Sequence, residues 1–301
     1  MDEFLRDRLA CPACGTGLDA DLSCPECGAT YEVQDDIYDL VYDDGQPLGG
    51  FPVDDADEKP DDETVTQEEY DRYVNQETRE AREKVGYAIQ DPLQRLDGAM
   101  LDLATGMAGG LFAPQLGRPD VTPIASDESV ELLEGLREQM PEVEEPHAYV
   151  ACNPRALPFR DDSLDAVTSA GGLNNVVGTE TILEEIYRVI DETGEFLGIH
   201  LFVDEDSESA ERALEYGLET AYVEERFRQA AVDAGFEAVE VWAVDTAEAA
   251  ENPYDRMPIS GDEQTYAVVR LDPKAGTESS LQNQLGQEEF MGRPGGRIGP
   301  M

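Results

Sequence analysis

Positive charge is what this chain lacks most. Against 68 aspartates and glutamates stand 21 lysines and arginines, and only three of these are lysines (Lys59, Lys84 and Lys274), for a formal net charge of -47 over 301 residues. A broad basic face for tracking a phosphate backbone is therefore excluded. In molar salt, where the Debye length is about 3 Å, phosphate attraction is screened anyway, so this lack alone does not decide against a nucleic-acid partner. Long apolar runs are missing as well. No stretch of 18 apolar residues occurs, and the first ten residues, MDEFLRDRLA, are charged. Both facts argue against a membrane span and a signal peptide, and lead us to expect a soluble, cytoplasmic protein. Cysteine is scarce too, with five in all, and histidine scarcer, with two.

The acids are spread along the chain rather than gathered in a tail. That distribution resembles the proteome-wide surface bias of salt-in halophiles, such as halophilic archaea; the other reading is an acidic surface for a basic partner.

Four of the five cysteines fall within the first 27 residues. They form two knuckles, CPACG and CPECG: Cys11 and Cys14, nine intervening residues, then Cys24 and Cys27. Two C-x-x-C pairs at this spacing can present four thiolates to one tetrahedral metal, and we read a zinc ribbon with a closed, structural site. Pro12 and Pro25 pre-set the turns, and Gly15 and Gly28 let the backbone curl beneath the sulfurs. A disulfide pair and a thioredoxin-like redox site are the alternatives; the latter needs one C-x-x-C beside a βαβ pattern. The fifth cysteine, Cys152, reads as a lone buried thiol.

The ribbon occupies residues 1–42. Its closing segment, ATYEVQDDIYDLV, suits a strand and a return. Residues 43–64 are glycine, proline and acid, and read as a loose linker ahead of a domain with its own core. That domain spans 65–271. It opens with a helical pattern at about 67–96, then alternates strand-like runs (AMLDLA, VTPIAS, AYVAC, LDAVTSA, EFLGIHLFV, AVEVWAV, TYAVVRL) with helices near 110–117, 128–140, 180–190 and 208–234. The alternation predicts an α/β fold: a doubly wound, mostly parallel, seven-stranded sheet. The last two strands have only a short connection, so one of them should run antiparallel. Residues 272–301, ending GRPGGRIGPM, read as a disordered tail; Arg293 and Arg297 there could contact RNA or a partner.

Three successive strand ends carry polar or glycine-rich signals. The first runs into LDLATGMAGG, residues 101–110, an acid in an apolar strand followed by a glycine-rich turn. The second ends at Asp127, 21 residues beyond Gly106, where a carboxylate can accept both hydroxyls of a ribose or can cap the next helix. The third ends at Asn153. Ligands in doubly wound sheets lie across such carboxyl ends, which makes one constellation of the three.

LDLATGMAGG, the block LPFRDDSLDAV, the turn GGLNNV and the run EEIYRVIDETGEFL together resemble the successive motifs of class I S-adenosylmethionine-dependent methyltransferases, and within them the quinone-biosynthesis C-methyltransferase group. The resemblance covers about residues 99–205 and implies a Rossmann-like methyltransferase domain. It implies that Asp102 and the turn from Ala104 through Gly106, Ala108 and Gly109 cradle the methionine part of S-adenosylmethionine. Asp127 would take the ribose, Asn153 and Pro154 would border the adenine, and Ser169 and Ala170 would lie near the sulfonium. Two positions depart from the family pattern: Ala108 replaces a turn glycine, and Asn153 an acid, so a degraded site serving as a non-catalytic scaffold or regulatory subunit is the alternative function. Residues 1–42 separately resemble the small zinc-ribbon proteins that partner tRNA and release-factor methyltransferases, and a ribbon ahead of such a domain resembles the 23S rRNA guanine methyltransferases. The acceptor implied is accordingly a small molecule or RNA, and a protein partner could engage the ribbon. No residue announces itself as a general base. His147 precedes the third strand, and His200 reads either as a satisfied core or edge histidine or as a catalytic one.

Overall fold

A computed structural model describes residues 3–46, 73–251 and 257–273. Most of the linker, the first residues of the expected helix at 67–96 and nearly all of the tail, with Arg293 and Arg297, lie outside the described residues.

In chain order the elements are α1 (Glu3–Arg6), β1 (Glu32–Gln34), β2 (Ile37–Asp39), α2 (Gln76–Ala88), α3 (Gln90–Leu93), β3 (Gly98–Asp102), β4 (Val121–Asp127), α4 (Val130–Gln139), β5 (Ala148–Ala151), β6 (Leu164–Ala170), α5 (Thr179–Val189), β7 (Ile190–Val203), α6 (Glu208–Tyr216), α7 (Glu219–Tyr222), α8 (Glu224–Ala234), β8 (Ala238–Glu248) and β9 (Glu263–Asp272). The helices are where apolar residues recur at helical spacing. In α5 these are Ile182, Leu183, Ile186 and Val189, all buried. Capping serines start α4 and α6: Ser129 accepts from the amide of Leu132, and Ser207 from that of Ala210.

All described strands join one mixed sheet of nine, in the order β1-β2-β5-β4-β3-β6-β7-β9-β8. The seven strands from β3 onward are those read from the sequence. The central five (β5, β4, β3, β6, β7) run parallel, and β9 runs antiparallel between β7 and β8. Successive residues of β3 face opposite layers. Leu101 joins the cluster under α5 and α8, while Met100 joins the one under α2. The chain leaves β3 toward β4 on one side and reaches β6 on the other. The crevice beyond these carboxyl ends is therefore a topological switch point, where doubly wound sheets bind ligands. The expected helix at 110–117 is only a 3-10 turn at Ala113–Gln115, and the helix expected over 208–234 is three helices, interrupted at Gly217 and at Val223.

The sheet count corrects the sequence-based expectation of seven strands. The two additional strands come from the cysteine-rich segment. Its hairpin β1–β2 lies along the sheet edge, with β2 parallel to β5 and Ile37, Tyr38 and Asp39 opposite Tyr149, Val150 and Ala151. A second seam runs along Arg8–Ala10. The amide of Ala10 donates to the carbonyl of Pro158 (3.0 Å) and the amide of Arg160 to that of Arg8 (2.8 Å). Leu5, Leu9, Leu18, Leu22 and Leu40 of the segment are buried in the same cluster as Val150, Leu157 and Phe159. The cysteine-rich segment thus shares a buried cluster with the sheet, where the sequence led us to expect a domain with its own core. The reason is physical: a segment this small cannot enclose its own leucines, and the open edge of β5 offers both backbone partners and apolar cover.

Candidate functional site

Cys11, Cys14, Cys24 and Cys27 converge, with all four sulfurs within 4.8 Å of one another. Cys11 and Cys27 stand 3.6 Å apart, and Cys14 and Cys24 3.4 Å. A tetrahedron with metal–sulfur bonds of about 2.3 Å has edges of about 3.8 Å, so the donor set fits zinc and leaves no position open for a substrate. The amides of Gly15 and Gly28 close the two knuckles on the carbonyls of Cys11 and Cys24. The Tyr31 hydroxyl stands 3.2 Å from Cys11 Sγ, within reach to donate to a thiolate.

At the switch point the turn after β3 folds around one buried carboxylate. Asp102 Oδ2 accepts from the amides of Leu111 and Phe112 (both 3.2 Å), and Oδ1 accepts from the hydroxyl of Thr168 (2.7 Å). Burial nevertheless drives this carboxyl up to about 7. A side chain at Gly110 would place its Cβ 2.5 Å from Asp102 Oδ2, so the glycine is what lets the turn close. Asp102 therefore shapes the turn from within, where the resemblance implied contact with the ligand.

Asp127, at the end of β4, reaches back across the crevice. Its Oδ2 accepts from the amide of Gly106 (3.1 Å) and its Oδ1 from that of Ser129 (3.3 Å). Ser129, not Asp127, is the cap of α4. Asp127 lines a cavity of about 240 Å³ together with Leu103, Ala104, Cys152, Pro154 and Val176. Burial raises its carboxyl from the ordinary value. Burial, and then the charge of Asp127, also raises that of Glu128, another wall residue.

A second cavity, of about 410 Å³, adjoins the first, and Ala104, Gly172 and Asn175 belong to both. The neck between them depends on small residues. A Cβ on Gly172 would lie 2.5 Å from that of Ala104. The loop carrying Gly172 is held by Asn174, whose side chain pairs with the backbone of Leu201 through both its oxygen (3.1 Å) and its nitrogen (2.9 Å).

Of the ten residues implied for the cofactor, Ala104, Asp127, Pro154 and Ala170 line these cavities. Gly106 adjoins them through its bond to Asp127. Asp102, Gly109, Ser169 and Asn153 are buried behind the walls, and Ala108 is exposed. Ser169 donates to the carbonyl of Leu103 (3.0 Å). The Asn153 oxygen accepts from the amide of Arg155 (2.8 Å) and its nitrogen donates to the carbonyl of Tyr42 (3.1 Å), so the amide ties this strand end to the cysteine-rich segment. Glu128, Cys152, Gly172, Asn175 and Val176 also line these cavities, though none was among the residues implied for the cofactor. The turn GGLNNV did signal a ligand loop, but nothing in it showed which of its side chains face inward.

His200 is buried on the wall of the larger cavity, clustered with the rings of Phe202 and Phe227. Its Nε2 donates to the carbonyl of Ala221 (2.5 Å), and burial lowers its pKa to about 4, which keeps the ring neutral at pH 7. His147 stands beside Tyr149, away from both cavities.

Comparison with known proteins agrees with this geometry. Residues 101–198 match the family described as "Methyltransferase domain". Over 47 residues the chain is 51% identical to the ubiquinone/menaquinone biosynthesis C-methyltransferase UbiE of Stenotrophomonas maltophilia; the match covers 16% of this chain and 19% of that protein, so it spans about a fifth of the relative's length. Among solved structures, geranyl diphosphate C-methyltransferase from Streptomyces coelicolor is 13% identical at a TM-score of 0.48, covering 76% of this chain and 93% of that one. A chain of the complex between the Haloferax volcanii Trm112 methyltransferase activator and a methyltransferase is 20% identical at a TM-score of 0.46, covering 65% and 92%. These structural likenesses bear on neither activity, substrate nor partner. Residues 101–198 thus match a methyltransferase domain, and they lie in a mixed sheet of nine described strands.

Proposed function

We propose that this protein transfers a methyl group from S-adenosylmethionine to an acceptor seated in the larger cavity. The observation that carries the reading is the pair of cavities joined at the Ala104–Gly172 neck, one walled by the Asp127 carboxylate at the switch point, within a methyltransferase domain. The smaller cavity fits the cofactor. Asp127 can accept two hydroxyls of a ribose, Leu103, Cys152 and Val176 offer an apolar slot, and a Cβ on Gly106 would meet nothing within 4 Å, which leaves room for close backbone approach. When bound, S-adenosylmethionine supplies an electrophilic methyl on a sulfonium, transferred by in-line displacement. The chain's own work is alignment and exclusion of water: the turn fixed by Asp102 and Gly110 orients one partner, and the loop fixed by Asn174 orients the other. The zinc reading belongs to the edge segment, where four thiolates would hold the metal and fold β1 and β2 against the sheet, with no part in transfer.

The scaffold alternative was motivated by Ala108 and Asn153. Neither lines a cavity, which favours the catalytic reading over the scaffold. The cysteine-rich segment lies on its own chain's sheet edge, which supports reading it as an extension of the fold rather than as a module for another protein. The acidic excess fits the halophilic reading, and a cytoplasmic location fits the finding that no described helix is long and apolar enough to cross a membrane.

Calorimetry with S-adenosylhomocysteine, on zinc-loaded protein in molar salt, tests the reading. Binding is expected, and Asp127→Ala should weaken it by about tenfold or more, the effect of losing hydrogen bonds to a charged group. No binding by folded protein would refute the proposal.

A further inference from the structure

The walls of the larger cavity have an unusual composition for this chain. The protein carries 68 acidic residues, yet no aspartate or glutamate lines this space among the described residues. Its polar groups are threonine, asparagine, glutamine, tyrosine, histidine and one exposed arginine, Arg82. The adjoining cavity, by contrast, has Asp127 and Glu128 in its wall. Among the described residues, one cavity is lined without carboxylates and its neighbour has two.

Strand β9 contributes Gln264 and Tyr266, two apart and therefore on the same face of the sheet. Gln264 is buried, and its amide donates to the Thr78 hydroxyl (3.3 Å), which ties β9 to α2. Tyr266 is only 3% exposed, and its hydroxyl has no hydrogen-bond partner. Buried hydroxyls are nearly always paired, because one left unmet forfeits the hydrogen bonds it had in water. A phenylalanine would fill the same space without that cost. Nothing within the described structure accounts for the oxygen on this ring.

We propose that the larger cavity is the acceptor site, that it takes a compact organic molecule without positive charge, and that the Tyr266 hydroxyl binds a polar oxygen of that molecule. The proposal rests on the methyltransferase reading above and adds the acceptor's chemical class. A volume of about 410 Å³ lies within the range of small-molecule pockets. An ammonium group entering here would lose its hydration with no carboxylate among the described lining residues to face, which disfavours cationic amines. Neutral or anionic molecules bearing a hydroxyl, carbonyl or carboxylate oxygen meet no such penalty. They can exchange a hydrogen bond with Tyr266 while their apolar part packs against Ile199, Leu201 and Val85.

The experiment uses the full-length, zinc-loaded protein saturated with S-adenosylhomocysteine, and two matched probes: 2-naphthol, which is neutral, and 2-naphthylmethylamine, which is a cation at pH 7. Calorimetry should show 2-naphthol binding, with the amine about tenfold weaker or more. Tyr266→Phe should lower the affinity for 2-naphthol by about fivefold or more. The same variant should leave S-adenosylhomocysteine affinity within about twofold and should not lower the unfolding temperature, since it removes an unmet polar group. Failure of 2-naphthol to bind, equal binding of the amine, or an unchanged affinity in Tyr266→Phe would each overturn the assignment. If S-adenosylhomocysteine itself does not bind, the methyltransferase reading fails first; if it binds while 2-naphthol does not, only the acceptor assignment fails.

Discussion

Arg155 grips both carboxylate oxygens of Asp44, its Nε at 2.8 Å from one and Nη2 at 3.0 Å from the other, across 111 residues of sequence. The same guanidinium donates to the carbonyls of Gln46 and Val177, and it is almost fully buried. Arg155 follows Pro154, a wall residue of the smaller cavity. The clasp therefore ties the chain leaving the cysteine-rich segment to the rim of the candidate cofactor site.

Asp44→Asn keeps the shape of that clasp and removes its charge. S-adenosylhomocysteine affinity should fall by roughly three- to tenfold, and Arg155→Ala should cost more, since it also strands two carbonyls. Calorimetry on both variants reads this directly. The Arg155 guanidinium holds the Asp44 carboxyl down at about 2, below its ordinary 3.8. A depressed carboxyl contributes stability that is present above its unfolded value and lost as pH falls through the folded one, so the clasp's contribution should be whole above 3.8 and lost as pH falls to about 2.

Metal removal should be felt in the sheet. Ile37, on β2, is buried with Phe112 of the turn after β3, Leu133 and Leu136 of α4 and Tyr149 of β5. Chelation, or Cys24→Ser, should release one zinc by native mass spectrometry and lower the unfolding temperature of the whole protein by about 10 °C or more. An unchanged main transition in scanning calorimetry would show instead that the edge segment is energetically separable.

Gly110→Ala should be among the most damaging single-methyl changes in the turn. The new Cβ would fall 2.5 Å from Asp102 Oδ2, at a φ of +43° that disfavours any side chain. A loss of about 2–4 kcal/mol is expected in urea denaturation, together with weaker S-adenosylhomocysteine binding. Ala108→Gly, at an exposed position, should change stability by less than about 1 kcal/mol.

His200 should give stability an acid-side slope. Its folded pKa, lowered by burial to about 4, lies below the ordinary 6.5. Between those values the unfolded chain binds more protons than the folded one, so stability rises with pH. The contribution is whole above about 6.5 and is lost progressively as pH falls to about 4, to the extent of roughly 3 kcal/mol. Denaturation at pH 5 and pH 7 should show this difference in the parent protein and a smaller one in His200→Gln.

The seven strands from β3 onward were readable because each is a short apolar run bounded by turn residues, and the four cysteines because their spacing has few other uses. Boundaries were less so. Strand β7 begins at Ile190, earlier than its apolar run at Glu195, because Ile190 pairs with Leu164 before a register shift. At the site, Asp127 was legible from its distance beyond the glycine turn. The bond from the Asn153 amide to Tyr42, a residue 111 positions away, was not legible, because no local pattern signals it.

What the sequence determined by itself is therefore local or periodic: the strands, the amphipathic helices, the knuckles and the glycine-rich turn. These depend on residues within a few positions of one another, and their physics is carried by neighbours in the chain. The tertiary structure alone decided that β2 pairs with β5, that Asp102 faces its own turn, and that two cavities meet at Ala104 and Gly172. Those features depend on which distant backbone edges and side chains come within hydrogen-bond or van der Waals range. Pairing one open edge with another, or leaving the Tyr266 hydroxyl unmet beside a cavity, is a property of packing in three dimensions, on which no local pattern of residues depends.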